Sequence, residues 1–228
     1  MKLITYIRYI ATYVLVIVLS ALIFIEFSYR AGLALVPDVP LTKEHNPLPV
    51  LVTHAIWASF YEDGPKKVTP LTPWNILARI AIGTNIHGNK VVTFISKKLL
   101  GLNDTSRRML IHHLQVFSLG IWLSRNWTTE QVMSAVGDHI IWKNIKGIDN
   151  IANQLFRKQV NCLDIGEIAL IMAIARGGFA FENKYRSEQL KIRRDHILKR
   201  MLINGAITEE DYRSSTSEPI NFVFGLTE

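Results

Sequence analysis

The chain has 228 residues, 49% of them hydrophobic, with 26 Lys and Arg against 19 Asp and Glu, a formal net charge of +7. That apolar share is enough for a real core, and the single cysteine, Cys162, excludes an intrachain disulfide and has no partner for a metal site. The basic excess alone does not choose between nucleic acid, an anionic lipid surface and a phosphorylated substrate.

The N-terminus narrows that choice. From Tyr9 to Ile25 the sequence YIATYVLVIVLSALIFI carries no charge, with Lys2 and Arg8 before it and Glu26 and Arg30 after it. Such a run approaches the ~20 residues a helix needs to cross a bilayer. It predicts an uncleaved signal-anchor over residues 1–30, with a cleaved signal as the alternative; Gly32 and Ala34 make a poor cleavage site. Lys2 and Arg8 place the N-terminus in the cytoplasm by the positive-inside rule, and the domain outside. A tethered basic domain meets lipid head groups or a lipid-linked pyrophosphate, so the membrane is the expected partner and nucleic acid is not.

Pro37, Pro40, Pro47 and Pro49 predict an extended linker over residues 31–49. A helix is expected from Val50 to Tyr61, broken at Asp63-Gly64-Pro65. Thr72 and Pro73 have the form of an N-cap and first helical residue. Trp74, Ile76, Leu77, Ile80 and Ala81 supply an apolar face, and residues 83–88 a loop. Leu110, Leu114, Phe117 and Ile121 recur at helical spacing in a long central helix from Asp104 or Thr105 to about Trp122. Thr128 with Gln131, and Asp164 with Glu167, have the spacing of capping boxes, the second before the apolar run Ile165–Met172. A helix over Arg193–Met201 stops at Asn204-Gly205, and Thr208 caps a short one through Tyr212. Strand patterns are weak, so the fold class expected is mainly α. One domain is expected over residues 50–213, followed by a polar hinge and an apolar patch, NFVFGL, in a tail over 214–228.

The segment Gly147–Met172, GIDNIANQLFRKQVNCLDIGEIALIM, resembles a stretch of the peptidoglycan glycosyltransferases, glycosyltransferase family 51. Phe156, Lys158, Leu163, Glu167, Ala169 and Leu170 fill its characteristic places, while Arg157 stands where the family usually has glycine. Residues 196–212, HILKRMLINGAITEEDY, continue the likeness. Phe60-Tyr61-Glu62, Gly88, and Thr105 with Arg108 are upstream landmarks, so it extends over about residues 47–213. The resemblance implies a lysozyme-like transglycosylase domain, a membrane-dipping subdomain, and lipid II as substrate. One glutamate acts there as general base on a sugar hydroxyl, and a second group assists the departing pyrophosphate. No cofactor is expected.

The catalytic places hold other residues. The family's Glu-Asp-x-x-Phe falls on Ile56 and Trp57 before Phe60, and no acidic residue occurs from Asn46 to Tyr61. An apolar group cannot take the hydroxyl proton. Glu62 and Asp63, the nearest carboxylates, are expected at an exposed helix end. In GNKVVTFISKKL, residues 88–99, Gly88, Thr93 and Lys98 match the family's second motif, while its polar pairs have become Lys90-Val91 and Phe94-Ile95. In the third motif Arg108 is kept, Met109 replaces a lysine and His112 replaces the second glutamate. A fourth, on Met133–Gly137, has no polar match. His112 and His113 point ~100° apart on a helix, so no metal site is expected from them.

The sequence thus supports a membrane-anchored, non-catalytic transglycosylase-like protein that binds a lipid-linked precursor, a glycan strand or a wall-synthesis partner. Thr93, Lys90, Lys98 and Arg108 are its candidate binding residues, and Lys66, Lys67, Lys97 and Arg107 further basic ones. Two alternatives are an active divergent enzyme using Glu62, Asp63 or Asp138 as base, and a structural protein of an envelope complex.

Overall fold

A computed structural model describes residues 2–39, 47–62, 64–75, 82–83, 86–101, 109–177 and 184–220. The first helix, α1 (Lys2–Ala34), is long and apolar enough over Tyr6–Ala34 to cross a membrane, and none of its most apolar stretch is buried by the rest of the protein. It continues to Ala34, past the expected end at residue 30, because its last turns have a partner. Gly32 faces the backbone of Leu114; a Cβ there would sit 2.9 Å from the Leu114 carbonyl oxygen and collide with Ser118 Oγ. Arg125 lies 5.4 Å over the Tyr29 ring, and Gln115 Nε2 donates to the Leu35 carbonyl. The span is therefore docked on the domain rather than joined by a free hinge. Val36 is buried and Val39 and Leu48 pack on the core, so the ends of the expected linker are part of the domain.

The helix α2 (Val50–Ser59) is almost wholly apolar and buried on most of its surface. It ends two residues before the expected Tyr61, which turns the chain with a left-handed φ of 57°. Thr72 caps the turn at Pro73–Asn75 as expected: Asn75 N–H donates to Thr72 Oγ1 at 3.1 Å and Thr72 N–H to Asn75 Oδ1 at 2.8 Å. The apolar face expected beyond Asn75 falls mostly outside the described residues.

Two helices follow, α3 (Asn89–Leu100) and α4 (Met109–Asn126). The expected start of α4 lies outside the described residues. Its end runs past Trp122, because Leu123 and Ser124 are buried and Ser124 Oγ receives the Leu71 N–H at 2.8 Å. Gly120 lets α4 approach α3, where an added Cβ would meet Ser96 Oγ at 3.4 Å. The Thr128 capping box opens α5 (Thr129–His139) with both reciprocal bonds formed. A minimal antiparallel hairpin, β1 (Ile141–Trp142) and β2 (Ile145–Lys146), leads into α6 (Ile148–Phe156).

The centre of the molecule is α7 (Ile165–Gly177), in which every residue from Ile168 to Ile174 is at most 3% exposed. Its N-terminus carries the expected box: Glu167 N–H donates to Asp164 Oδ1 at 2.7 Å and Asp164 N–H to Glu167 Oε2 at 3.0 Å. On α7 pack α2 and α8 (Lys184–Ile203), which stops before Gly205 at φ +70°. Thr208 caps α9 (Glu209–Ser217), which runs five residues past Tyr212. The expected polar hinge is thus helical at its start. Thr216 and Ser217 hydroxyls return to backbone carbonyls of the preceding turn, and buried Arg194 donates to the Thr216 and Glu218 carbonyls at 3.2 and 3.0 Å. The protein is mainly α, as composition and periodicity predict.

Candidate functional site

Ile56, at the expected general-base position, is 0% exposed on the core side of α2, as is Trp57, whose indole N–H has no partner among the described residues. The helix is built of small and β-branched apolar residues because it is enclosed by α7, α8 and α5. A carboxylate there would lose its hydration without gaining a partner, at a cost of several kcal/mol.

Glu62 corrects the expectation of an exposed helix end: it is 2% exposed. After Tyr61 reverses the chain, the Glu62 carboxylate tucks under the first turn of α3 and accepts the Lys90 N–H at 3.2 Å. Helix N-termini present unpaired N–H groups and a partial positive charge, which is why an anion settles there. Asn204 Nδ2, after α8, donates to the Glu62 carbonyl at 3.3 Å. Glu62 therefore joins three helices and is not displayed to solvent. Gly88 completes the joint: its φ is +80°, and an added Cβ would lie 2.9 Å from Val68 Cα, so both the backbone and the space require glycine.

The candidate binding residues Lys90, Thr93 and Lys98 share the outer face of α3, all partly buried, while Val91, Val92, Ile95 and Ser96 face the core. Lys90 Nζ donates to the Tyr61 carbonyl at 2.8 Å. Lys98 Nζ sits 5.6 Å over the Phe94 ring, and Phe94 meets Phe60 edge-on at 5.1 Å. The two phenylalanines explain what happened to the family's polar pair: Phe94 packs on the aromatic residue that closes α2, and Ile95 enters the core. Arg200 lies 5.0 Å over the half-exposed Tyr61 ring. The face thus offers ammonium groups and an aromatic surface, a combination that attracts anions and apolar sugar faces.

His112 lies in the first turn of α4, half-buried, its ring 6.3 Å from that of His113 and tilted by 55°. Among the described residues no hydrogen bond or ion pair joins His112 to Lys90, Thr93 or Lys98. Arg108, with Thr105, Arg107 and Asp63, lies outside the described residues. Met133 to Gly137 are buried on α5, and Gly137 is needed where Leu48 approaches a would-be Cβ at 2.7 Å.

The stretch that carries the resemblance most fully is scaffold. Lys158 Nζ reaches both Glu167 oxygens at 2.8 and 2.9 Å, tying the turn after α6 to the start of α7, and that hydrogen bond raises the lysine above its ordinary pKa. Arg157 occupies the left-handed C-cap of α6 at φ 55°, the conformation that favours glycine at this place.

Sequence reasoning missed the polar group on the accessible edge of α2. Lys66 Nζ donates to Thr53 Oγ1 at 2.6 Å and lies 3.9 Å from Glu130 Oε1, beside His54. Its partners are spread over three segments, so no local signal announces it.

The transglycosylase family profile matches residues 91–202, from α3 to α8, and leaves α2 outside. Penicillin-binding protein 1A of Aquifex aeolicus is 28% identical over 139 residues, 60% of this chain and 19% of that protein. Penicillin-binding protein 1A of Vibrio cholerae is 34% identical over 74 residues, 32% of this chain and 9% of that protein. The match thus spans a fifth or less of these relatives' length. A crystal structure of penicillin-binding protein 1A from Haemophilus influenzae aligns with 71% of this chain and 19% of its own, at 18% identity and a TM-score of 0.37.

Proposed function

Because the chain carries a transglycosylase domain, similar to part of penicillin-binding protein 1A, we propose that it is a membrane-anchored, non-catalytic relative of the peptidoglycan glycosyltransferases that binds a lipid-linked wall precursor or glycan strand. The observation that carries this reading is the enclosure of Ile56: the place of the general base is apolar and sealed. The extent of the family match agrees with it, since scaffold helices α3 to α8 are covered and α2 is not. The binding face we assign is that of Lys90, Thr93 and Lys98 on α3, with Arg108 as a further member from the resemblance. The signal-anchor, with Lys2 and Arg8 in the cytoplasm, would hold that face outside the membrane, where such precursors are used.

The active alternative needs a base. Glu62 is committed to the N-terminus of α3, which supports the non-catalytic reading. Incubating the purified full-length chain with labelled lipid II in detergent tests both halves. Retention of lipid II, weakened about tenfold in a Lys90→Ala, Lys98→Ala double variant, with no glycan polymer, is the expected result; this corresponds to loss of roughly 1.4 kcal/mol. Glycan polymer sensitive to mutation of Glu62 would refute the reading.

A further inference from the structure

The cluster on the accessible edge of α2 uses none of the residues on which the cell-wall reading rests. His54 is half-buried, and its ring nitrogens have no hydrogen-bond partner among the described residues. Lys66, from the segment after α2, has a side chain only 13% exposed. Of its three N–H donors, one goes to Thr53 Oγ1, whose own hydroxyl donates to the Val50 carbonyl at 2.7 Å. A second points toward Glu130 in the first turn of α5, at the 3.9 Å limit of an ion pair and on a side chain 67% exposed. A largely buried ammonium thus has only a distant, solvated counter-charge, which contributes little. Burial, and then Lys66, hold His54 below its ordinary pKa; burial likewise lowers Lys66, with Glu130 pulling the other way. The cluster has cationic capacity without matching negative charge.

We propose that His54 and Lys66 form a binding site for a phosphate-type oxyanion. A phosphate monoester brings about −1.5 to −2 charges and three acceptor oxygens at neutral pH. One oxygen takes the remaining Lys66 donor, and the charge draws a proton onto the imidazole, so that both groups become cationic donors. A single carboxylate would leave half of that charge unmatched. A lipid head group and a soluble phosphate present the same chemistry.

The test uses the full chain in phosphatidylcholine nanodiscs with labelled histidine, following the His54 ring by NMR. Saturating inorganic phosphate, compared with chloride at equal ionic strength, should raise the His54 pKa by about one unit. The shift should vanish in Lys66→Met and persist in Lys66→Arg. A response to free phosphate assigns a soluble ligand, and a response only when phosphatidate replaces part of the phosphatidylcholine assigns a lipid head group. Glu130→Gln, an exposed change that keeps the fold accessible, should tighten phosphate binding by removing the competing carboxylate. No shift from either source, a shift that survives Lys66→Met, or weaker binding in Glu130→Gln overturns the site.

Discussion

At the scale of single residues, two positions decide how the domain can act. Ile56 shows how a catalytic place is closed: the side chain is not merely exchanged but belongs to the core, 0% exposed beside Trp57. Restoring the family residue should therefore not restore chemistry. Ile56→Glu is expected to lower stability by roughly 3 kcal/mol or more, since a buried carboxyl stays unpaired or neutral, and to give no polymerisation of lipid II. Thermal unfolding and the lipid II assay check both; a stable, active variant would contradict the assignment. The identity of Ile56 is legible in the sequence, as is the absence of acid from Asn46 to Tyr61. The fate of Glu62 is not, because its carboxylate is held by a backbone N–H 28 residues away.

At the scale of elements, local signals agree with the structure where both partners lie within one turn. Thr128 with Gln131, Asp164 with Glu167, and Thr208 with Asp211 all form their reciprocal bonds. Helix ends depart from the local expectation where a distant element extends them. Ser124 is kept helical by the Leu71 N–H, and the C-terminal turn of α9 by Arg194 from α8. The same holds for α1, whose last turns exist because α4 receives Gly32. Gly32→Leu should push α1 from α4 at a cost of about 1–3 kcal/mol, without altering the apolar span. Faster amide hydrogen exchange over Leu114–Ser118 and a lower unfolding midpoint would report the loss of docking; unchanged exchange would show that α1 is only tethered.

At the scale of the whole molecule, the anchor, the core around α7 and the α2 edge are coupled through one set of packed helices, so protonation on that edge is felt in global stability. His54 has its pKa lowered in the folded chain from 6.5, first by burial and then by Lys66. The unfolded chain takes up the proton at the ordinary value, the folded chain only at lower pH. Stability contributed by the neutral imidazole is therefore full above pH 6.5 and is lost as pH falls toward the folded value. Unfolding midpoints of the wild type and His54→Gln should converge below pH 6.5 and separate above it; a constant difference across that range would contradict the environment assigned to His54.

The sequence by itself determined the helical class, the apolar N-terminal helix, the caps and the likeness to a transglycosylase scaffold, because periodicity and capping act between neighbours on one helix. Only the tertiary structure decided which charged groups are spent and which are left over. Glu62 is bound by Lys90 and by Asn204, 142 residues away, Ile56 is sealed by three other helices, and Lys66 is brought beside Thr53 and Glu130. Burial and electrostatic pairing depend on distance in space, and in these cases the partners lie too far apart in the chain for any pattern of residue types to reveal them.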